Sequence, residues 1–169
     1  MKLIGALLIL LTGVGIGLTA RHTLERRITV LSQFERLLQR LGDTIRFQAL
    51  PVADALRTLA DSAEFASCRW LTETAEQVAA DGEFRAAWHA TVKRYDREWS
   101  LSEGERALFD GFADGLGTSD VDGEVRFCEQ YGAQIGACLA QRREEANTRR
   151  RLYVALGICG GSAVALLLL

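Results

Sequence analysis

Two long apolar runs lie at the two ends of the chain, and every acidic residue falls between them. The first run covers residues 3–20 and the second covers residues 152–169, so each has about 18 residues. A helix of that length rises about 27 Å, which is close to the roughly 30 Å hydrocarbon core of a bilayer. We therefore predict transmembrane helices at residues 1–20 and 152–169, which anchor a polar domain of residues 21–151.

Basic residues flank both apolar runs on the side of the polar domain. Arg21, Arg26 and Arg27 follow the first run. Five arginines precede the second run: Arg142, Arg143, Arg149, Arg150 and Arg151. Because positively charged flanks stay on the cytoplasmic side of a membrane, we predict a two-pass membrane protein with a cytoplasmic polar domain. The five arginines are candidates to face lipid phosphates or a partner protein.

A cleaved signal peptide is the main alternative for the first apolar run, because Lys2 followed by an apolar stretch fits its usual pattern. Two features oppose cleavage. Leu18 is bulky where a cleavage site needs a small residue, and the arginines that follow would resist export. We therefore predict that the first run stays as a membrane anchor.

Within the polar domain, apolar residues recur at every third or fourth position, which is the pattern of amphipathic helices. The first stripe runs from Leu24 to Ile45 and continues directly from the first apolar run, so we expect one helix across both. Five further stripes follow at residues 56–59, 65–78, 84–99, 108–116 and 121–139. No persistent alternating strand pattern occurs. This predicts an all-α antiparallel bundle of about six helices, with the first and last extending into the membrane.

Signals for helix starts and stops divide these stripes. Pro51 suits the start of the second helix, and Gly82 and Gly117 suit the ends of the third and fifth. The sequence Ser102–Glu105 predicts a capping box, and Ser119 with Asp122 predicts the start of the last helix.

Each apolar run also carries two glycines one helical turn apart, Gly13 with Gly17 and Gly157 with Gly161. Small residues at this spacing let helix backbones approach closely in lipid, so these are candidates for membrane-helix packing. They could pair with each other or with another membrane protein, although glycine is also common in membrane helices without such a role.

Charge and cysteine usage exclude several function classes. The chain has 20 basic and 22 acidic residues, and Lys2 lies outside the polar domain, so the domain carries a formal charge of −3. Nucleic acid is therefore not an expected partner. The 4 cysteines include no C-x-x-C pair and the 2 histidines are distant from them in sequence, so we predict buried thiols and no metal site.

Candidate chemistry in the polar domain is weak. Asp110 and Asp114 share a helix face, which most often means two solvated carboxylates. Residues 120–124 resemble a calcium loop only loosely, because the turn glycine comes at the fourth position instead of the sixth and no glutamate occupies the twelfth. The glycines of residues 111–117 lack the lysine and hydroxyl of a phosphate-binding loop. We predict no catalytic residue and no cofactor.

His89 is the remaining candidate for chemistry. It lies beside Trp88 on a predicted helix, and an exposed histidine on a helical bundle can accept a phosphoryl group. A single histidine on a helix is more often structural. A membrane-tethered phosphotransfer module therefore stays open as an alternative function.

Four segments carry a resemblance to a known family. They are the opening residues 1–8, the segment Leu50–Leu56, the hinge Leu116–Asp120 and the closing segment Arg151–Gly161. Their order, spacing and the total length resemble the stage III sporulation protein AB family of endospore-forming bacteria, over the whole chain. That family is similar in turn to the six-helix cytoplasmic domain of the inner-membrane platform proteins of type II secretion and type IV pilus machines.

The resemblance implies a non-enzymatic platform in the mother-cell half of the channel that joins mother cell to forespore. It implies docking of the secretion-type ATPase stage III sporulation protein AA from the cytoplasm, together with contacts to other channel components and lipids. Four exposed acidic residues are docking candidates: Asp110, Asp114, Glu144 and Glu145. Platform proteins carry the helical domain twice and this chain carries it once, so we predict a homo-oligomer. A general secretion or pilus platform outside sporulation is the other alternative.

Overall fold

The computed structural model describes the backbone of residues 2–48 and 50–168, and the side chains of residues 22–48, 50–80 and 82–148. Within these ranges the chain forms six α-helices, one short 3-10 turn and no strand. The helices are α1 (Lys2–Gln48), α2 (Val52–Ala60), α3 (Arg69–Asp81), α4 (Phe84–Trp99), α5 (Glu103–Gly115) and α6 (Val121–Leu168). The prediction of an all-α bundle of about six helices is confirmed.

The long helices α1 and α6 lie side by side in opposite directions. Gly42 faces Cys128 and Leu38 faces Gly132, so residue numbers fall along one helix as they rise along the other. A methyl group on Gly42 would lie 3.4 Å from the Cβ atom of Cys128, so the two helices approach closely there. The shorter helices complete the bundle, because α2 and α4 contact α1 and α5 contacts α6.

An aromatic cluster fills the space between α1 and the shorter helices. The ring of Phe34 lies 5.4 Å from Trp88, 4.2 Å from Phe109 and 5.2 Å from Phe112, measured between ring centroids. All four side chains are buried, and the indole N–H of Trp88 donates to the carbonyl of Phe109 at 2.7 Å. Each such ring pair adds about 0.5–1.5 kcal/mol beyond the buried area, so this cluster fixes α4 and α5 on α1.

Most predicted helix boundaries are confirmed. Gly82 and Gly117 have φ angles of 74° and 82°, which side chains rarely adopt, and they follow the ends of α3 and α5. Both hydrogen bonds of the Ser102–Glu105 capping box are present. The predicted start of α6 is wrong by one residue, because Asp120 and not Ser119 accepts a hydrogen bond from the third residue of the helix, Gly123, at 2.9 Å.

The third predicted stripe is only partly helical. Phe65 ends a 3-10 turn, Ala63–Phe65, and α3 begins only at Arg69. Phe65 and Cys68 are nevertheless buried, each about 2% exposed. Two buried residues three positions apart fit a 3-10 turn as well as an α-helix, and for this reason the apolar spacing alone misplaced the helix start.

The backbone of α1 runs unbroken from Lys2 to Gln48 and that of α6 from Val121 to Leu168. The prediction that the first apolar run and the first stripe form one helix is therefore confirmed. Among the residues whose side chains are described, no helix is both long enough and apolar enough to cross a membrane. The two apolar runs, with the candidates Gly13, Gly17, Gly157 and Gly161, lie outside those residues.

The aromatic cluster predicts a large stability difference between two phenylalanines of α1. Phe34 is fully buried, whereas Phe47 is 81% exposed. We expect Phe34→Ala to lower the free energy of unfolding by about 3–5 kcal/mol, and Phe47→Ala to change it by less than about 0.5 kcal/mol. Urea unfolding of the full chain in detergent, followed by tryptophan fluorescence, measures both. Equal effects would contradict this account of the core.

Candidate functional site

Six charged or ionisable side chains meet on the outer face of α4 and α5, and we name them the α4–α5 charge cluster. Arg106, Asp110 and Asp114 are spaced by four residues and so share one face of α5. The antiparallel helix α4 brings the other three against them. These are Arg85, His89 and Asp96.

The cluster is connected by short polar contacts from end to end. His89 Nδ1 lies 3.3 Å from Asp110 Oδ1, and His89 Nε2 lies 3.5 Å from Asp114 Oδ1. Arg106 contacts Asp96 at 3.0 Å and Asp110 at 3.7 Å. Arg85 contacts the Asp114 carboxylate at 3.4 Å. Every carboxylate of the cluster therefore has a cationic or ionisable partner.

Two separate sequence hypotheses meet at this cluster. The sequence predicts Asp110 and Asp114 as solvated surface carboxylates and docking candidates, and His89 as a separate candidate phospho-acceptor. The structure instead places both aspartates against the imidazole. Sequence reasoning missed Arg85, Asp96 and Arg106. The sequence does contain information that could have found them. In a helical hairpin that turns near Ser100, residues at equal distances before and after the turn lie next to each other.

The surroundings of His89 disfavour phosphotransfer. Nδ1 lies within hydrogen-bond distance of Asp110, and Nε2 lies 3.5 Å from Asp114, so a phosphoryl donor would have to approach beside a carboxylate at either nitrogen. A phosphoryl group on either nitrogen would place about two further negative charges beside Asp110 and Asp114, which costs electrostatic energy. The cluster contains no serine, threonine or cysteine that could act as a nucleophile. Its chemistry suits a charged contact surface better than a reaction centre.

A second polar group joins the start of α5 to α6, and we name it the Arg142 clasp. Glu105 is only 2% exposed, and one carboxylate oxygen accepts from Arg142 Nε at 2.6 Å. The other oxygen accepts from the Ser102 backbone N–H at 2.6 Å. Arg142 also donates to Glu145 at 2.9 Å. The clasp therefore combines a helix cap with a buried ion pair between two helices.

The clasp shifts the pKa values of both partners. Burial is the largest single influence on Glu105 and acts to raise its pKa, but the hydrogen bonds from Ser102 and Arg142 together outweigh it, so the pKa is lowered. Hydrogen bonds to Glu105 and then to Glu145 raise the pKa of Arg142. Both groups are therefore held in their charged forms.

The remaining basic and acidic candidates near this end of the bundle differ in environment. Arg142 and Glu145 are half-buried and bind each other, whereas Arg143 and Glu144 are exposed and face solvent. The side chains of Arg149, Arg150 and Arg151 lie outside the described residues. Of the basic candidates that the structure describes, Arg143 is thus the one whose guanidinium is open to lipid or to a partner.

Arg27 of α1 binds the turn between α4 and α5, near the Arg142 clasp. Its Nε donates to the backbone carbonyl of Ser100, the residue that ends α4 with a φ angle of 52°. The turn between α4 and α5 is therefore held by Arg27 of α1 on one side and by Arg142 of α6 on the other. These are the two helices that continue into the apolar runs.

Other polar residues of the bundle have structural partners. The Glu124 carboxylate accepts from the backbone N–H groups of Gly117 and Ser119 at 2.9 and 2.8 Å, so it closes the turn before α6. This use of Glu124 occupies the segment that loosely resembled a calcium loop. Among the described residues, no three His, Cys, Asp or Glu side chains are placed to hold a metal ion.

The described cysteines are free thiols. Cys68 and Cys128 are buried, and Cys138 is half-buried. Burial raises the pKa of Cys68, and it raises that of Cys128 to about 12. Both buried thiols are therefore protonated at neutral pH and act as small apolar groups. Cys159 lies outside the residues with described side chains.

The Arg142 clasp predicts a specific pH dependence of stability. The pKa of Glu105 in the folded state lies below its ordinary value of 4.5. Its ionised form therefore stabilises the fold above pH 4.5, and this contribution disappears as the pH falls through the folded-state pKa. We expect Glu105→Gln to lower the free energy of unfolding by about 3 kcal/mol at pH 7, and this difference should shrink steadily below pH 4.5.

Urea unfolding of the full chain in detergent at several pH values measures this difference. The matched control is Glu103→Gln, an exposed glutamate in the same helical turn, which should change stability little at any pH. A Glu105→Gln effect that stays constant down to pH 3 would contradict a stabilising role for the ionised carboxylate.

Comparison with known proteins identifies one family. The sequence model of the stage III sporulation protein AB family matches residues 2–169. No curated protein and no solved structure matches the chain.

Proposed function

Since the chain belongs to the stage III sporulation protein AB family and so has a role in sporulation, we propose that it is a non-enzymatic membrane platform. In this proposal it lies in the mother-cell membrane and forms part of the channel to the forespore. Its helical bundle faces the cytoplasm and docks the secretion-type ATPase stage III sporulation protein AA. The proposal extends to several copies per platform, because the chain holds a single helical domain.

One observation carries the membrane part of this proposal. Because α1 and α6 are antiparallel, the start of α1 and the end of α6 leave the bundle in the same direction. Both of these ends are the apolar runs, and arginines flank each run on the bundle side. A bundle held at one end by two apolar helices, with its other surfaces free for a cytoplasmic partner, is the arrangement that a platform needs.

The α4–α5 charge cluster is the docking surface that we propose for the ATPase. Asp114 is 60% exposed and Asp110 is 39% exposed, so both carboxylates reach solvent although they contact His89. A basic partner surface could replace these contacts one for one, because exposed ion pairs contribute only about 0–1 kcal/mol each. Glu144, which is exposed, and Glu145, which binds Arg142, remain further docking candidates on α6.

The Arg142 clasp gives this surface a path to the membrane. Asp110 and Asp114 lie on α5, and the first turn of α5 is bound through Glu105 to Arg142 of α6. Arg142 precedes the second apolar run by only 10 residues of the same helix. A displacement of α5 by the ATPase would therefore reach the membrane through a buried ion pair and a continuous helix.

The docking surface predicts where the ATPase contacts this protein. A photo-crosslinking amino acid at Ala90 or Ala107, which are exposed beside the cluster, should form a covalent adduct with stage III sporulation protein AA in sporulating cells. The same probe at Ala53, exposed on α2, should not. Immunoblotting for both proteins measures the adduct. Adducts at Ala53 but not at the two cluster positions would move the docking site away from α4 and α5.

The rigid path predicts that a flexible joint abolishes function. Because α6 runs unbroken from the bundle toward residue 168, a Gly/Ser segment of about eight residues inserted after Arg151 should uncouple the two. We expect stable protein but loss of heat-resistant spores, measured by colony counts after heating. The matched control is the same insertion between Ala66 and Ser67, two exposed residues outside any helix. Normal spore counts after the Arg151 insertion would refute rigid coupling.

A further inference from the structure

A groove of about 520 Å³ runs along the outer side of α1 and α6. Only these two helices line it, and it shares no residue with the α4–α5 charge cluster. The part of its α6 wall formed by Gly132, Ala133 and Gly136 carries no side chain larger than a methyl group. A groove of this kind has room for the side chains of one further helix.

Packing within the chain does not require the glycines of this wall. A methyl group on Gly132 would meet nothing closer than the Cβ atom of Leu38 at 4.0 Å. One on Gly136 would meet only the end of the flexible Glu35 side chain, with Oε1 at 2.7 Å. Each glycine inside a helix costs about 1 kcal/mol relative to alanine. Neither glycine is needed for close packing within the bundle. Both would allow the backbone of a partner helix to approach α6 closely.

The groove is acidic. Glu35, Asp43 and Glu129 line it, and the only basic lining residue is Arg46. Arg46 is already bound to Glu129 at 2.9 Å. Glu35 and Asp43 have no ion pair or hydrogen bond among the described residues, so the groove keeps two uncompensated negative charges. A partner with a basic face complements this charge, and a second copy that presented the same groove would be repelled.

An exposed aromatic residue follows the last α1 residue that lines the groove. Phe47 is 81% exposed, and within the described part of the chain only Phe47 and Val121 are large apolar residues that are exposed. Phe47 directly follows the lining residue Arg46 and lies one helical turn after the lining residue Asp43. Exposed aromatic residues commonly anchor the centre or end of a protein interface.

From these features we infer that the α1–α6 groove binds a basic amphipathic helix of a partner protein. The apolar face of that helix packs on Gly132, Gly136 and Phe47. Its basic residues meet Glu35 and Asp43. This surface is separate from the one proposed for the ATPase. A failure of either proposal would therefore leave the other unaffected.

Binding of a defined peptide tests this inference. The probe is an 18-residue amphipathic helix with Leu and Ala on one face and Lys and Arg on the other, labelled with fluorescein. A second peptide carries Glu in place of every Lys and Arg. Fluorescence anisotropy with the full chain in a non-ionic detergent should give a Kd for the basic peptide at least about tenfold lower than for the acidic peptide.

Two pairs of variants locate the binding site. Gly136→Leu fills the groove and should raise the Kd for the basic peptide by about tenfold or more. Gly104→Leu, at an exposed glycine with open space around it, should leave this Kd unchanged. Glu35→Gln with Asp43→Asn should also weaken binding. The matched pair Asp54→Asn with Glu76→Gln, at exposed acidic residues of α2 and α3, should leave it unchanged.

Three results would overturn the inference. The first is equal affinity for the basic and acidic peptides. The second is full binding by Gly136→Leu together with full binding by the Glu35 and Asp43 double variant. The third is a wild-type dimer in light scattering that becomes a monomer in Gly136→Leu, because a second copy would then occupy the groove.

Discussion

The antiparallel contact between α1 and α6 is the constraint on which the rest of the structure depends. These two helices contain 47 and 48 residues, more than half of the chain, and every other helix packs on one of them or on a neighbour that does. The two helices approach closely at Gly42, where a methyl group would lie 3.4 Å from the Cβ atom of Cys128. Their opposite directions place both apolar runs at the same end. In the proposed platform, the position of the bundle relative to the membrane would therefore follow from one helix pair.

The short helices provide the second packing layer that two long helices cannot form alone. A pair of helices buries only one narrow face of each, so α1 needs a second layer before Phe34 is removed from water. The rings of Trp88, Phe109 and Phe112 supply that layer. No other helix lines the groove on the opposite side of α1 and α6, and glycine and acidic residues occur there. The difference between the two sides makes the second an interaction surface.

Periodicity allowed the sequence to predict six helices and most of their ends, because apolar spacing and capping residues act locally. It could not separate the 3-10 turn at Phe65 from the start of α3, since a spacing of three residues fits both. Periodicity also could not pair His89 with Asp110 and Asp114, because it places residues on one face of a helix and does not say which helices are neighbours. Only the hairpin geometry of α4 and α5 brings these side chains together. The site was thus less predictable than the fold. The sequence identified His89, Asp110 and Asp114 as candidates but did not predict the contacts between them.

The Arg142 clasp illustrates why a buried ion pair is kept where an apolar contact would stabilise as well. Removing Glu105 and Arg142 from water costs several kcal/mol, which their attraction only about offsets, so the pair adds little net stability over a well-packed apolar pair. Breaking either half is costly, however, because the other charge is then buried alone. The pair accordingly penalises a shift of α5 along α6 that would separate the two charges. Such a contact transmits position, which the proposed platform would need more than additional stability.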